Sequence, residues 1–291
     1  MHKYLKAIGF HELTLEKQVN LILEDVKNNY TDCVATRLEE ELDFCEFSKE
    51  YGDGIGICSY YQIDDDEMEQ REYYVPIFKG TGVTSYSDVI VEHRSDRESY
   101  IGVCEDSKVG VSLIFYLQNS MEYLQEMKLG QIPKRSTSLT LSGLAVDGTV
   151  LLPIMKNQEQ LDEKKEDSRN RMMLLSAARE GNTEAIESLT LDDINKYSEV
   201  AMRIRTEDVY SIVDTYLMPY GMECDLYSIM GEILDINYST NEITGKEIYK
   251  LTLDINELRF DICVPVEKVI GEPAVGRRFK TNIWLQGYIN F

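Results

Sequence analysis

The stretch 249-YKLTLDINELRFDICV-264 decides how this chain is read. Leu251, Leu253 and Ile255 alternate with polar residues, Asn256-Glu257 interrupts, and Leu258, Phe260 and Ile262 resume the alternation. A period of two marks strands with one buried face. A two-residue turn at Asn256-Glu257 pairs Ile255 with Leu258, Leu253 with Phe260 and Leu251 with Ile262 on that face. On the other face it sets Asp254 opposite Arg259, a favourable cross-strand charge pair. The closing stretch, 276-GRRFKTNIWLQGYINF-291, extends the pattern. Phe279, Ile283, Leu285 and Ile289 share one parity and belong in a core with Leu251, Leu253, Leu258 and Phe260. Trp284 and Tyr288 have the opposite parity and point away from that core. A ring as large as Trp284 is expected to be covered, packing against the helical segment or the N-terminal part and fixing them relative to each other.

Upstream, Thr14 is placed to cap a helix whose apolar stripe is Leu15, Val19, Ile22, Leu23 and Val26, ending near Asn28-Asn29. From Leu38 the period changes to two. Leu42, Phe44 and Glu46 alternate with Asp43, Cys45 and Phe47 before Gly52-Asp53-Gly54 turns the chain. Residues 55–63, 71–78, 88–92, 100–104 and 109–117 read as strands, 119–129 as a helix, and 138–146 with 149–152 as a hairpin around Asp147-Gly148. The polar run 157–171 mixes both charge signs and reads as either a solvated helix or a linker, with opposite charges at helical spacing favouring the helix. Met173, Leu174, Ala177 and Ala178 form a stripe, Gly181-Asn182 is a stop and Thr183 a new cap, with further helices over 192–204 and 206–217. Strands without regular strand–helix alternation predict an α+β protein. The expected parts are an α+β domain over 1–152 with a mostly antiparallel sheet and flanking helices, a helical segment over 153–222, and a small antiparallel β domain over 223–291, OB-like or a meander barrel.

Composition narrows function mainly by exclusion. The 52 acids against 30 bases give a net charge of −22, which repels polyanions and disfavours nucleic acid as a partner. The start, MHKYLKAIGF, lacks the apolar core of a signal peptide, and no window is apolar enough for a membrane span, so a cytoplasmic location is expected. Six cysteines without a CxxC pair read as buried thiols with no disulfide, and three histidines lack metal-binding spacing.

Several constellations have a plain structural reading. Asp64-Asp65-Asp66-Glu67 with Glu69 is oxygen-rich, as cation loops are, but lacks their glycine and spacing. A hairpin centred on Glu67 makes these acids a solvated tip and sets Tyr60 opposite Tyr74 and Tyr61 opposite Tyr73. Those four tyrosines, with Trp284 and Tyr288, are the candidate contact surface, because such rings join a large apolar face to a polar edge. The run Lys79-Gly80-Thr81-Gly82-Val83-Thr84-Ser85 lacks P-loop spacing and reads as a connecting loop. Glu92, His93, Arg94, Asp96, Arg97 and Glu98 read as a solvated hairpin end, since strand neighbours face opposite ways. Arg277, Arg278 and Lys280 beside Phe279 and Trp284 have the texture of an oligonucleotide-binding strand, in an acidic setting that argues against it. GxSxG, HExxH and GxGxxG are absent, so no catalytic residue, cofactor or metal is assigned.

The segment LLSAAREGNTEAIESL resembles the helix pair of one ankyrin repeat; as a single copy it implies a helical hairpin and nothing about partners. Together, MHKYLKAIGF, AAREGN and GRRFKTNIWLQGYINF resemble a domain-of-unknown-function family from anaerobic Gram-positive gut bacteria, along the whole chain. That resemblance implies a bacterial cytosolic protein and carries over no functional residue. Two function classes follow. One is a non-enzymatic binding or scaffold protein whose partner is an unknown protein or small molecule; a flat exposed apolar patch would mark it. The other is an enzyme acting on a small molecule in an interdomain cleft, marked by a polar concave pocket holding a carboxylate of shifted pKa.

Overall fold

The computed structural model describes residues 2–11, 13, 15–39, 42–64, 68–94, 99–106, 112–130, 137–154, 158–203 and 205–291. A 3-10 turn, Lys3–Ile8, precedes helix α1, Glu16–Asn28. Four strands follow: β1 Asp32–Glu39, β2 Leu42–Gly52, β3 Ile55–Asp64 and β4 Glu69–Phe78. Next come β5 Val89–His93, β6 Tyr100–Glu105, β7 Ser112–Leu117, helix α2 Ser120–Lys128, β8 Ser138–Ala145 and β9 Gly148–Leu151. Helices α3 Gln158–Arg179, α4 Thr183–Arg203 and α5 Val209–Ile212 lead into β10 Tyr216–Pro219. The chain ends with β11 Leu226–Thr240, β12 Glu247–Ile255, β13 Leu258–Pro265, β14 Val269–Ile270 and β15 Arg278–Asn290. Among the described residues no helix is long and apolar enough to cross a membrane.

The β12–β13 hairpin forms in the expected register, Ile255 against Leu258, Leu253 against Phe260 and Asp254 against Arg259. Asn256 and Glu257 both take positive φ, 52° and 68°, which matches the loop's twist to that of its strands. The Arg259 guanidinium donates to Asp254 at 3.2 Å.

This is an α+β architecture of two sheets. The small one is the antiparallel meander β1-β2-β3-β4. The large one runs β10-β11-β12-β13-β8-β15-β7-β6-β5, with β9 and β14 beside β15. A further pairing of β11 with β15 closes β11-β12-β13-β8-β15 into a ring. Phe279, Ile283, Leu285 and Ile289 fill its interior with Leu251, Leu253, Leu258 and Phe260, as their parity requires. Trp284, Tyr116 and Cys263 lie on the outside, where the N-terminal segment and the inner face of the small sheet cover them. Helix α1 packs Val19, Leu23 and Val26 toward the small sheet from its other side.

Several expectations change. The sheet crosses the boundaries placed at 152 and 222, because β8 lies between β13 and β15. β8 and β9 do not pair as a hairpin; both run antiparallel to β15, against 285–290 and 278–280. Gly148 serves close approach instead of reversal, since a Cβ there would lie 2.1 Å from the Phe279 ring. Strand β1 begins well before Leu38, and the helix expected over 206–217 is the short α5 followed by β10. The helices expected around 183–204 are one helix, and its cap is Asn182, whose Oδ1 accepts from the Glu184 and Ala185 amides. Thr14 lies outside the described residues; Leu15 holds the first cap position, its N–H taken by Gln18 at 3.1 Å. Arg278, expected on a basic strand face, is buried and donates to the carbonyls of Leu152, Tyr210 and Val213. It thereby binds both ends of the helical segment to β15.

The tyrosine register also shifts. β3 and β4 pair Tyr60 with Tyr73 and Ser59 with Tyr74, and a bulge then sets Tyr61 against Arg71, leaving Glu72 unpaired. A one-residue slip reverses which side chains share a face, so Tyr60 and Tyr73 stack together on the inner side. Residues 65–67 of the acidic tip lie outside the described residues; Asp64 accepts from the Met68 amide at 2.8 Å.

Phe115 lies where β6 and β15 approach β7, and its ring occupies the space a Cβ would need at Gly102 (2.3 Å) and Gly287 (2.5 Å). Gly102→Ala is therefore expected to lower stability by about 1–3 kcal/mol through overpacking. Urea unfolding measures this, and a loss under about 0.5 kcal/mol would show that the ring shifts freely.

Candidate functional site

The cleft that matters lies between the inner face of the small sheet and the roof made by α2 and β15. Glu46 shares the parity of Phe44 on β2, so it faces inward with Val34 on one side and Tyr60 on the other. Ser48 and Cys58 form the next rung, and Asp32 and Lys79 flank it. The roof contributes Gln118, Asn119, Met121, Glu122 and Tyr288, around a cavity of ≈ 170 Å³. That is room for about five or six water-sized groups.

The roof is held by side chains that bond backbone. Asn119 exchanges two hydrogen bonds with Ile289, Nδ2 to the carbonyl at 2.9 Å and Oδ1 from the amide at 3.1 Å. Gln286, fully buried, accepts from the Phe78 amide and from Gln118 Nε2 and donates to the Pro76 carbonyl. These bonds tie β4 to β15 across the sheets. The Tyr288 hydroxyl donates to Glu122 at 2.8 Å; burial and that carboxylate push the phenol up to about 12.

Glu46 is the unusual group. Burial pushes its carboxyl up to about 7, and Glu122 and Asp32 add to the rise. The Cys58 thiol, 3.5 Å away, and the Tyr60 hydroxyl donate to it and offset part of that rise. Behind it the hydroxyls of Tyr60 and Tyr116 meet at 3.0 Å, and Tyr73 bonds Tyr116 in turn. Near neutrality Glu46 is part protonated, able to donate or accept a proton toward the cleft. Cys58 is pushed well above its ordinary value by burial and by Glu46, so it is a thiol and a poor nucleophile. Three carboxyl groups against Lys79, itself paired with Glu50 at 2.7 Å, make the cleft acidic. Among the described residues no cluster of His, Cys, Asp or Glu converges as a metal site.

The six aromatic residues expected as a contact surface are distributed among four places. Tyr60 and Tyr73 stack at 4.3 Å in the interior. Tyr61 and Tyr74 lie on the other face, Tyr61 beneath Lys27 and Tyr74 accepting from the His2 amide. Trp284 packs on His2, Tyr4 and Tyr116, which joins β15 to the N-terminal segment, and Tyr288 lines the cleft. Sequence patterning included Glu46 only as a member of an alternation. The signal was a carboxylate on the core parity of a strand, whereas Asp32, Cys58 and Glu122 offered none.

Fold and cleft together define an α+β protein with a small acidic pocket between two β-layers. The chain belongs to the family described as "Domain of unknown function, E. rectale Gene description (DUF3881)", whose family model matches residues 5–287. No curated protein and no solved structure matches it.

Proposed function

We propose that the protein binds a small molecule carrying an amine or other cationic group in the cleft under α2 and β15. The observation that carries this reading is the Glu46 carboxyl, half-buried at the cleft wall beside Asp32 and Glu122. Burying a carboxylate is unfavourable unless a positive charge pairs with it. A bound ammonium group supplies that charge, and the amides of Gln118 and Asn119 offer directional contacts at the roof. Binding is favoured over turnover because Cys58 is held as a thiol and Tyr288 is committed to Glu122. One observation favours the enzymatic alternative: a carboxyl near 7 suits a general acid or base.

The expected OB-like barrel has support in the five-membered ring with its one parallel contact, β13 with β8. Its fifth strand is supplied from before the helical segment.

The test is a thermal-shift and calorimetric screen of small amines at pH 8, where Glu46 is ionised, and at pH 5.5. A ligand at 100 times its Kd is expected to stabilise the fold by about 2.7 kcal/mol. Affinity should weaken at the lower pH and lose that dependence in Glu46→Gln. Amines that bind with equal affinity to wild type and Glu46→Gln at both pH values would overturn the reading, as would a screen in which none binds.

A further inference from the structure

A second, smaller cavity of ≈ 40 Å³ lies on the far side of Tyr116 from Glu46, lined by His2, Tyr4, Tyr116 and Trp284 with Asp225 and Ser99. The Trp284 ring has three aromatic neighbours, with centroids at 4.7 Å (His2), 5.2 Å (Tyr116) and 5.8 Å (Tyr4). Asp225 is 1 % exposed. Its Oδ2 accepts from the Trp284 indole N–H at 2.8 Å and lies 3.7 Å from the Arg94 guanidinium. Its Oδ1 has no hydrogen-bond partner among the described residues, and neither has the hydroxyl of Ser99, also 1 % exposed.

An unpaired buried carboxylate oxygen is costly, and an orphaned hydroxyl beside it adds to the cost. Both are relieved by a guest that donates hydrogen bonds to them. The guest's charge follows from the walls. Among the described residues that line the cavity, the carboxylates of Asp225 and of the exposed Glu223 outnumber the one guanidinium, Arg94. His2 turns Nδ1 away from the cavity's carboxylates, toward the Tyr4 amide at 3.4 Å. Aromatic faces attract cations within about 6 Å of their centroids. A hard metal ion wants six or more oxygens, which this cage does not offer. We propose that the cavity is a binding site for one small ammonium-type cation, ammonium itself or the head of a primary methylamine. Asp225 Oδ1 and Ser99 Oγ accept its N–H groups, and the Trp284 and Tyr4 rings form its walls. The site is separate from the Glu46 cleft, so it stands or falls independently of the function proposed there.

Trp284 is the chain's one tryptophan, so its fluorescence reports on this cage alone. The full-length protein is titrated at pH 7 with ammonium chloride and methylammonium chloride, against sodium chloride and tetramethylammonium chloride at matched ionic strength. The expected result is a saturable change with the first two salts and none with the last two, since tetramethylammonium exceeds the cavity and cannot donate. Asp225→Asn keeps the shape and an acceptor for the indole and should weaken binding at least about tenfold. Ser99→Ala, a milder change, should weaken it less, and Glu46→Gln should leave it unchanged. A non-saturating response equal to that in sodium chloride would overturn the proposal, leaving a water as the cavity's guest. An unaltered titration in both Asp225→Asn and Ser99→Ala would overturn it as well.

Discussion

Trp284→Ala is expected to lower stability by about 3–5 kcal/mol, the usual range for deleting a buried ring of this size. The side chain is 5 % exposed and sits on the outer side of the ring of strands, where β15 meets His2, Tyr4 and Tyr116. Its loss opens a cavity between the ring of strands and the N-terminal segment and also strips Asp225 of its indole donor. Trp284→Phe separates the two effects. It keeps most of the packing and loses the hydrogen bond, for an expected cost of about 1–3 kcal/mol. Equilibrium denaturation in urea reads both. If the alanine variant loses less than about 1 kcal/mol, the indole does not hold the N-terminal segment to β15. Because whole proteins are stable by only about 5–15 kcal/mol, the alanine variant is also expected to unfold well below the wild-type temperature.

Glu46→Gln is expected to stabilise the protein at pH 8 and to leave it nearly unchanged near pH 4.5. The folded carboxyl is raised by burial from about 4.5 to about 7, so the native state holds this proton more tightly than the unfolded chain does. Its favourable contribution is fully present below the unfolded value, declines as pH rises, and is gone above the folded value. A rise of about 2.5 pKa steps corresponds to about 3 kcal/mol across that window, an upper bound for a group at the wall of an open cleft. Glutamine removes the titration while preserving size. The difference between the two proteins therefore isolates Glu46 from the other acids of this strongly acidic chain. Denaturation curves between pH 4.5 and 8 that stay parallel for wild type and variant would show that Glu46 ionises as an ordinary surface carboxyl. In that case the cleft would lose the feature on which its assignment rests.

Both predictions depend on contacts that patterning reached unequally. The parity of 279–289 already sent Trp284 to the opposite side from Phe279 and Ile283. What it could not supply was the covering group, because His2 and Tyr4 lie at the other end of the chain. Glu46 stood in the right phase on β2, but a carboxylate on an apolar parity has the same appearance at a sheet edge as in a cleft. Only the placement of α2 and Tyr288 above it lowers its access to water and moves its proton affinity. The tyrosines show the same limit at shorter range. Their pairing was readable to within one residue, and the bulge at Glu72 decided which of them face the interior.

By itself the sequence determined the β12–β13 hairpin to the residue, with Asp254 against Arg259, and the buried set along β15. Turn chemistry and a two-residue period act between near neighbours, so the information is local. The tertiary structure alone decided that β8 enters between β13 and β15, that β11 closes onto β15, and that the chain runs straight on from β8 to β9. An alternating strand offers the same hydrogen-bonding edge to any partner. The choice among partners far apart in the chain was settled by which arrangement buries Phe279, Ile283 and Leu285 together while leaving no backbone edge of the ring unpaired.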